Sequence, residues 1–271
     1  MFWIFISTGL LIVLHQMIWY LISLVKKRMD VADIAWGIGF ASVAISLFIM
    51  YPMGGYNLPV YTAVIAWGIR LAIHIGRRNN QKKEDYRYRQ WREDWGDTIY
   101  WRSFLQVFLL QGFFMWIIAA PLMVAAAAAE HSDGKITLFF SNNLDGKLFL
   151  TVGLLVWLIG FLLQSVADDQ LRRFIKTKTE GEILKTGLWK YSRHPNYFGE
   201  IVMWWGLFIM VVYLPGGGWA LASPVLITYL IIFVSGVPML ENKKLGNSTY
   251  ETYKKHTSML IPWFPKKQPT I

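Results

Sequence analysis

The hydrophobic positions of this chain are grouped in long runs, and polar residues occur mainly between the runs. Runs of about 18 or more apolar residues can cross a hydrocarbon core of about 30 Å as an α-helix. The pattern predicts seven such helices, separated by short stretches that are rich in Gly, Pro or charge. The predicted spans are residues 2–25, 31–50, 58–76, 103–129, 147–167, 197–214 and 219–240.

Basic residues between the predicted helices indicate their orientation. The segment after the first span contains three Lys or Arg residues, segment 77–102 contains eight, segment 168–196 contains seven and the tail from Glu241 contains six. The opposite loops contain none, two and none. Lys and Arg accumulate on the cytoplasmic side of membrane proteins. We therefore expect the N-terminus outside and the C-terminus in the cytosol, which requires an odd number of spans.

Composition supports this interpretation. Of the 271 residues, 55% are hydrophobic and 16% are charged, whereas soluble domains carry about 25% charged residues. The first apolar run has no basic segment before it and no small-residue cleavage site after it, so we interpret it as a retained span. The absence of Cys excludes disulfides, thiolate catalysis and cysteine-ligated metals. The fold class that we predict is an all-α integral membrane protein forming one domain over residues 1–271.

Short motifs exclude several other functions. The chain has no GxGxxG after a predicted strand and no GxxxxGK[ST], so neither a Rossmann fold nor a P-loop is supported. The stretch "HPNYFGE" lacks the ligand spacing of a zinc site, and we predict no metal. The net charge of +10 is explained by the basic cytoplasmic segments, so we expect no nucleic-acid partner. Nothing in the sequence implies an obligate protein partner.

Ionisable residues concentrate where the predicted helices reach the cytoplasmic face. Arg70, His74, Arg77 and Arg78 have the spacing that lines one face of a helix. Such a stripe can consist of snorkelling cations that meet lipid headgroups, but Arg70 lies deeper and needs an internal partner or a ligand anion. With segment 168–196, we expect these residues to form a basic cap that suits a phosphate-bearing ligand such as NADPH.

Two C-terminal stretches resemble a known family. "LKTGLWKYSRHPNYFGE" and the later "GVPMLENKKLGNSTYETYKKHTSMLIPWF" resemble the C-terminal half of the steroid 5α-reductase family. "DVADIAWG", "WGIRLAIHIGRR" and "EDYRYRQWRE" are similar to its bacterial branch. The "RHPNY" element is shared with sterol Δ14-reductases and with membrane methyltransferases of the isoprenylcysteine carboxyl and phospholipid type. Glu200 after "YFG", the polar "ADDQLRRF" and the "EDYRY" loop favour the reductase.

The resemblance implies an NADPH-dependent reductase that transfers hydride to the conjugated C=C bond of a 3-oxo-4-ene steroid or similar enone lipid. The substrate would enter from the bilayer into helices of residues 1–130, and residues 147–271 would form the cofactor-binding half. The cofactor site would lie on the cytosolic side of a bacterial inner membrane. Two alternatives stay open: a membrane methyltransferase that uses S-adenosylmethionine, and a non-enzymatic lipid-binding protein or transporter.

For the group that donates to the ketone oxygen we predict Asp33, with Tyr88 as the second candidate. We expect burial at the membrane mouth to keep the Asp33 carboxyl protonated. The alternative is that Asp33 satisfies free amides at a helix N-terminus. Members of the family carry a Glu in span 2 and a Tyr in span 3. Here Asp33 is the nearest acid, and Trp67 stands near the position of that Tyr.

The cofactor residues follow from the resemblance. It places Asn196, Tyr197 and Glu200 at the nicotinamide half, Tyr191, Arg193 and His194 in the cap over it, Asp168 and Arg172 at the pyrophosphate or ribose, and Arg77, Arg78, Glu241 and Asn242 at the adenosine end. Arg70 is a further candidate for cofactor binding because of its depth.

Overall fold

The computed structural model describes residues 1–51, 57–80, 83–130 and 144–266, and this part of the chain is helical without any β-strand. Within the described residues, six helical segments are long and apolar enough to cross a membrane: Phe2–Lys26, Val31–Met50, Leu58–Asn80, Tyr86–Ile118, Leu144–Thr177 and Gly217–Asn242. The prediction of an all-α multi-pass membrane protein is therefore confirmed.

Contacts divide the chain into two compact units. Unit 1 comprises Met1–Leu150 and Met210–Ser223, and unit 2 comprises Thr151–Ile209 and Pro224–Ile271. The assignment of substrate-side and cofactor-binding halves to one domain stays a prediction.

Unit 1 begins with three long apolar helices, α1 (Phe2–Lys26), α2 (Val31–Met50) and α3 (Asn57–Asn80). Lys27 caps the C-terminus of α1. It has a left-handed backbone and donates its N–H to the carbonyls of the preceding turn. Helices α2 and α3 approach closely at Gly37 and Gly68. A Cβ added at Gly37 would lie 2.6 Å from the Gly68 carbonyl oxygen, so only glycine permits this approach.

The polar segment 77–102, predicted to be a loop, is largely helical. Helix α3 continues to Asn80, and a helical run then passes from α4 (Tyr86–Trp95) through α5 (Ile99–Arg102) and a π-helical segment to α6 (Leu110–Ile118). The predicted span 103–129 is therefore wrong in its bounds. Its second part is a separate helix, α7 (Ala120–Glu130), whose second residue, Pro121, lacks an N–H to continue α6.

Helix α8 (Leu144–Thr177) extends about three turns beyond the predicted span and leads into unit 2. The remaining helices are α9 (Pro195–Val211), α10 (Ala222–Tyr229), α11 (Val237–Asn242) and α12 (Ser248–His256), with a π-helical segment between α10 and α11. Helix α9 has 17 residues and falls short of the roughly 20 residues that a span requires. It corresponds to the sixth predicted span, and it is not among the six candidate membrane helices.

Glycines let α8 and α9 pack at backbone distance in unit 2. A Cβ added at Gly199 would lie 2.6 Å from the Gln164 nitrogen, and one added at Gly160 would lie 2.6 Å from the Gly199 carbonyl oxygen. The same holds one heptad further along α9, where a Cβ at Gly206 would lie 2.6 Å from the Trp157 nitrogen. Side chains that flank these glycines are consequently held within hydrogen-bonding reach of the opposite helix.

Candidate functional site

The two predicted donors, Asp33 and Tyr88, are hydrogen-bonded to each other in unit 1. Asp33 lies in the first turn of α2, and Tyr88 lies in the first turn of α4. The Tyr88 hydroxyl donates to Asp33 Oδ1 at 2.7 Å, and Arg87 Nη2 donates to Asp33 Oδ2 at 3.0 Å. Tyr88 is buried, and it packs edge-on against Trp91. We call Asp33, Arg87 and Tyr88 the Asp33 cluster.

Asp85 fixes the start of α4 and thereby the Asp33 cluster. Its Oδ1 accepts from the Arg87 backbone N–H at 3.1 Å, which caps the helix, and from Arg87 Nε at 3.0 Å. Its own backbone N–H donates to Asp30 Oδ2 at 3.2 Å. Burial acts to raise the pKa of Asp85, but the charge and hydrogen bonds of Arg87, together with Arg78, hold this pKa below its ordinary value.

Two arginines lie beside the Asp33 carboxylate. Besides Arg87, the guanidinium of Arg78 lies 3.7 Å from Asp33 Oδ2. The carboxylate accepts the hydrogen bond of the Tyr88 hydroxyl. The partners of this carboxylate in the described structure are side chains, so it does not cap α2. Tyr88 is therefore the member of the Asp33 cluster that carries a transferable proton.

Two polar pairs connect α8 and α9 in unit 2. Asn196 Nδ2 donates to Asp168 Oδ1 at 3.1 Å, and Gln164 Nε2 donates to Glu200 Oε2 at 2.8 Å. Each helix supplies its two members at i and i+4, the spacing of one helix face. Gln164 was not predicted, although its position four residues before Asp168 is a signal that could have found it. We call these four residues the α8–α9 pairs.

A buried ion-pair network surrounds the Glu241 carboxylate. Arg193 donates to Glu241 Oε1 from Nε at 2.9 Å and approaches the same oxygen with Nη2 at 2.8 Å. Arg193 Nη1 also donates to the Lys254 carbonyl at 2.9 Å, and Lys254 Nζ lies 3.4 Å from Glu241 Oε2. These contacts give Arg193 and Glu241 a role in joining α11 and α12. The predicted contact of Glu241 with the adenosine end stays a prediction.

His194 completes the Glu241 network as a neutral imidazole. Its Nε2 lies 3.3 Å from Glu241 Oε1, and its ring stacks on Tyr197 at 5.6 Å. Burial, the largest influence, lowers the pKa of His194 to about 4, although the hydrogen bond to Glu241 acts to raise it. Because a carboxylate only accepts, Nε2 carries the proton of the neutral ring.

Residues near the C-terminus fasten the "YSRHP" segment. The Arg193 N–H donates to the Ser258 carbonyl at 2.9 Å, and Ser192 Oγ donates to the Leu260 carbonyl at 2.7 Å. The Trp263 N–H donates to the Tyr191 carbonyl at 2.9 Å. Since these pairs are distant in sequence, the pattern of the chain gave no signal for them.

Other predicted cofactor residues lie near the surface of their own unit. Arg172 and Arg173 are exposed and pair with Asp169, and an open groove of about 470 Å³ is lined by Ser165, Val166, Asp169, Gln170 and Arg173. Arg77 and Asn242 are exposed, Tyr191 is half-buried, and Arg70 is half-buried in α3. Exposed guanidinium groups suit phosphate, and two amides that each pair with a carboxylate suit ribose or carboxamide groups, so these residue types are compatible with NADPH.

No group of three His, Cys, Asp or Glu side chains that could hold a metal occurs among the described residues. The described polar side chains form one hydrogen-bonded group at the Asp33 cluster and another at the α8–α9 pairs.

Comparison with known proteins identifies relatives of two kinds. The chain is 33% identical over 130 residues to 3-oxo-5-alpha-steroid 4-dehydrogenase 1 of Bos taurus, covering 48% of this chain and 47% of the relative. It is 29% identical over 133 residues to protein-S-isoprenylcysteine O-methyltransferase of Saccharomyces cerevisiae, covering 46% and 53%. An uncharacterized protein of Schizosaccharomyces pombe is 23% identical and covers 95% of this chain and 79% of its own length.

The chain spans about half the length of the steroid dehydrogenase that it matches. No solved structure matches it significantly. The similarity to both enzyme types confirms the predicted superfamily. A family model described as "Protein of unknown function (DUF1295)" matches residues 19–257, and the chain therefore belongs to the DUF1295 family.

Proposed function

We propose that this protein is a membrane-embedded reductase that uses NADPH to reduce the conjugated C=C bond of a 3-oxo-4-ene steroid or similar enone lipid. The observation that carries the proposal is the Asp33 cluster, in which a buried tyrosine hydroxyl bonds a carboxylate that is held by an arginine. A methyl transfer to a carboxylate or amine needs no such proton donor. Sequence similarity to the steroid dehydrogenases supports the same reaction class.

In this proposal NADPH supplies the hydride. The α8–α9 pairs hold its nicotinamide end, and the exposed Arg172 and Arg173 hold its phosphates, because guanidinium groups bind phosphate through charge and paired donors. Tyr88 is buried, and a hydrogen bond that it makes to a ligand away from water is stronger than the same bond in solvent.

Tyr88 acts on the ketone oxygen of the substrate. Negative charge develops on this oxygen as hydride reaches the β-carbon, and a positioned donor in a water-poor site stabilises it. Asp33 orients the Tyr88 hydroxyl, and Arg87 holds Asp33 in place at 3.0 Å. The proposed donor is therefore Tyr88, the second of the two predicted candidates. Asp33, the first candidate, becomes the positioning group.

The proposal includes the topology. Helix α9 serves as the seventh span, the N-terminus lies outside, and the basic segments and the cofactor site lie on the cytosolic side of a bacterial inner membrane. The positive charge of segments 77–102 and 168–196 supports this orientation. The substrate reaches the site from the bilayer, and no obligate protein partner or nucleic acid takes part.

Calorimetric titration of the purified protein in detergent tests the cofactor. We expect NADPH to bind more tightly than NADH, because its additional phosphate meets the arginines. Asn196→Ala and Glu200→Gln should weaken NADPH binding at least about tenfold, since each removes a charged or polar contact. Glu180→Gln, at an exposed position outside the α8–α9 pairs, is the matched control.

Two results would redirect the assignment. Binding of S-adenosylmethionine without binding of NADPH would establish a methyltransferase, the class named for the yeast relative to which this chain is also similar. Unchanged NADPH affinity in both variants would exclude the α8–α9 pairs as the cofactor site.

A further inference from the structure

Helix α1 of unit 1 buries a glutamine whose amide is left without hydrogen bonds. Gln16 is 0% exposed, and neither its Nε2 nor its Oε1 has a partner among the described residues. Buried polar groups in native proteins are nearly always paired, because an unpaired buried amide loses its bonds to water without replacement. The position of Gln16 therefore has a cost that the described packing does not offset.

The side chain of Gln16 packs against Gly112 of α6. A Cβ added at Gly112 would lie 3.0 Å from Gln16 Cγ and 3.4 Å from a methyl group of Ile12. The neighbouring Gln111 also has a buried Oε1 that lacks a hydrogen-bond partner within the described structure. Two amides with unused capacity thus occur on facing helices of one unit.

A second glycine nearby gives space to a flexible side chain. A Cβ added at Gly39 of α2 would lie 2.5 Å from Met115 Cε, and Met115 of α6 is fully buried. Methionine is unbranched and adapts to irregular shapes more readily than other apolar residues. The region between α1, α2 and α6 therefore contains a side chain that can change conformation when an apolar molecule is inserted.

We propose that Gln16 binds an oxygen atom at the far end of the lipid substrate, a hydroxyl or carbonyl remote from the reacting enone. A hydroxyl can donate to Oε1 and accept from Nε2, which satisfies both atoms of the buried amide. This inference rests on the proposed function for the location of the enone at the Asp33 cluster. It adds the requirement that the lipid carry an oxygen at each end.

The geometry of α1 fits an elongated substrate. Gln16 lies ten residues before the last residue of α1, which corresponds to about 15 Å along the helix axis. The Asp33 cluster lies just beyond the α1–α2 connection at that same end. A rigid lipid that places one oxygen near Asp33 and Tyr88 would extend along α1 toward Gln16.

Equilibrium binding of two steroids tests the proposal. The probes are a 3-oxo-4-ene steroid with a hydroxyl on the ring farthest from the enone, and the same steroid without this hydroxyl. We expect the parent protein to bind the hydroxylated steroid at least about tenfold more tightly, the value of one well-formed hydrogen bond to a buried group. Gln16→Leu and Gln16→Met should bind both steroids equally.

Thermal unfolding separates this role from a structural one. Leucine or methionine at position 16 removes an unpaired amide, so both variants should be at least as stable as the parent. Thr8→Val is the matched control, because Thr8 is a second buried polar residue of α1 whose hydroxyl has no partner in the described ranges. It should retain the preference for the hydroxylated steroid.

Three results would overturn the proposal. The first is that the parent and the Gln16 variants prefer the hydroxylated steroid equally, and the second is that both Gln16 variants are much less stable than the parent. The third is that Thr8→Val loses the preference as fully as the Gln16 variants do. NADPH titration of the same samples separates the two hypotheses. Normal NADPH binding with no steroid preference rejects the role of Gln16 alone, whereas absent NADPH binding rejects the proposed function.

Discussion

At the scale of single residues, the proposed reduction depends on which member of the Asp33 cluster donates a proton to the substrate. Asp33 and Tyr88 are 55 residues apart in sequence and come together because α2 and α4 both start at the same end of unit 1. The guanidinium groups of Arg87 and Arg78 lie 3.0 and 3.7 Å from Asp33 Oδ2. In the proposed reaction, the carboxylate would act on the substrate through the tyrosine hydroxyl that donates to it at 2.7 Å.

Replacing Tyr88 or Asp33 should slow turnover without weakening the binding of NADPH. Loss of a positioned acid typically lowers the rate by about 100 to 10,000-fold, so we expect this range for Tyr88→Phe and a smaller loss for Asp33→Asn. The double variant should lose little more than Tyr88→Phe, because residues that act as a unit are not additive. Steady-state kinetics with a 3-oxo-4-ene steroid and NADPH titration measure both quantities.

Tyr100→Phe is the matched control, since Tyr100 is 64% exposed and is not a member of the Asp33 cluster. Full turnover in Tyr88→Phe would exclude the tyrosine as donor. A rate loss in Asp33→Asn alone would return the donor role to Asp33.

His194 makes stability depend on pH. Burial lowers its pKa to about 4 in the folded protein, whereas an unfolded histidine titrates near 6.5. The unfolded chain therefore binds more protons between these values, so stability is fully present above about pH 6.5 and is lost as the pH falls toward 4. The full loss corresponds to about 3 kcal/mol.

Melting temperatures between pH 4 and 7 in detergent test this prediction. His194→Gln cannot titrate and should flatten the profile, while the control His256→Gln, in the last turn of α12, should leave it as in the parent. Identical profiles for all three proteins would show that other groups cause the acid sensitivity.

At the scale of elements, the apolar runs predicted α1, α2 and α3 to within a few residues, because each is long and almost free of charge. Helix α4 was missed because its composition is that of a loop. It is stabilised by the Asp85 cap and by Tyr88, which packs in a core with Met29, Val107 and Phe108. Neither the cap partner nor this core can be read from local composition.

Three of the four residues in the α8–α9 pairs were predicted, but their contacts were not, for a similar reason. Asn196, Glu200 and Asp168 were recognised by resemblance, but their bonds depend on the glycine contacts between the helices. We expect Gly199→Ala to destabilise the protein by about 1–3 kcal/mol, because a methyl group there meets backbone atoms of α8. It should also weaken NADPH binding by separating the pairs.

Gly76→Ala is the control for this element. Its added Cβ would meet only a methyl group of Ile34 at 3.9 Å, and alanine favours helix by about 1 kcal/mol over glycine. This variant should be as stable as the parent or more stable. An unchanged melting temperature and NADPH affinity in Gly199→Ala would contradict the close packing.

At the scale of the whole molecule, the proposed seven-span topology can be tested with cysteines, because the natural chain has none. Thr249→Cys lies on α12 at an exposed position, and Gly218→Cys replaces a glycine whose Cβ would meet nothing within 4 Å. In intact cells a membrane-impermeant maleimide should label Gly218→Cys only, since the C-terminal segment is proposed to be cytosolic. In permeabilised cells both cysteine variants should be labelled. Labelling of Thr249→Cys in intact cells would show that the orientation is opposite to the proposed one.

The hydrogen bonds between the "YSRHP" segment and residues 258–263 also affect how the protein is made. The Ser192–Leu260 bond joins residues 68 positions apart, so the segment cannot reach its final geometry until this later part has been synthesised. Translation proceeds at about 5–20 residues per second, which leaves the buried Arg193 exposed to the cell for seconds. A chain truncated before Ser258 would therefore leave the hydrogen-bonding groups of the "YSRHP" segment without these partners.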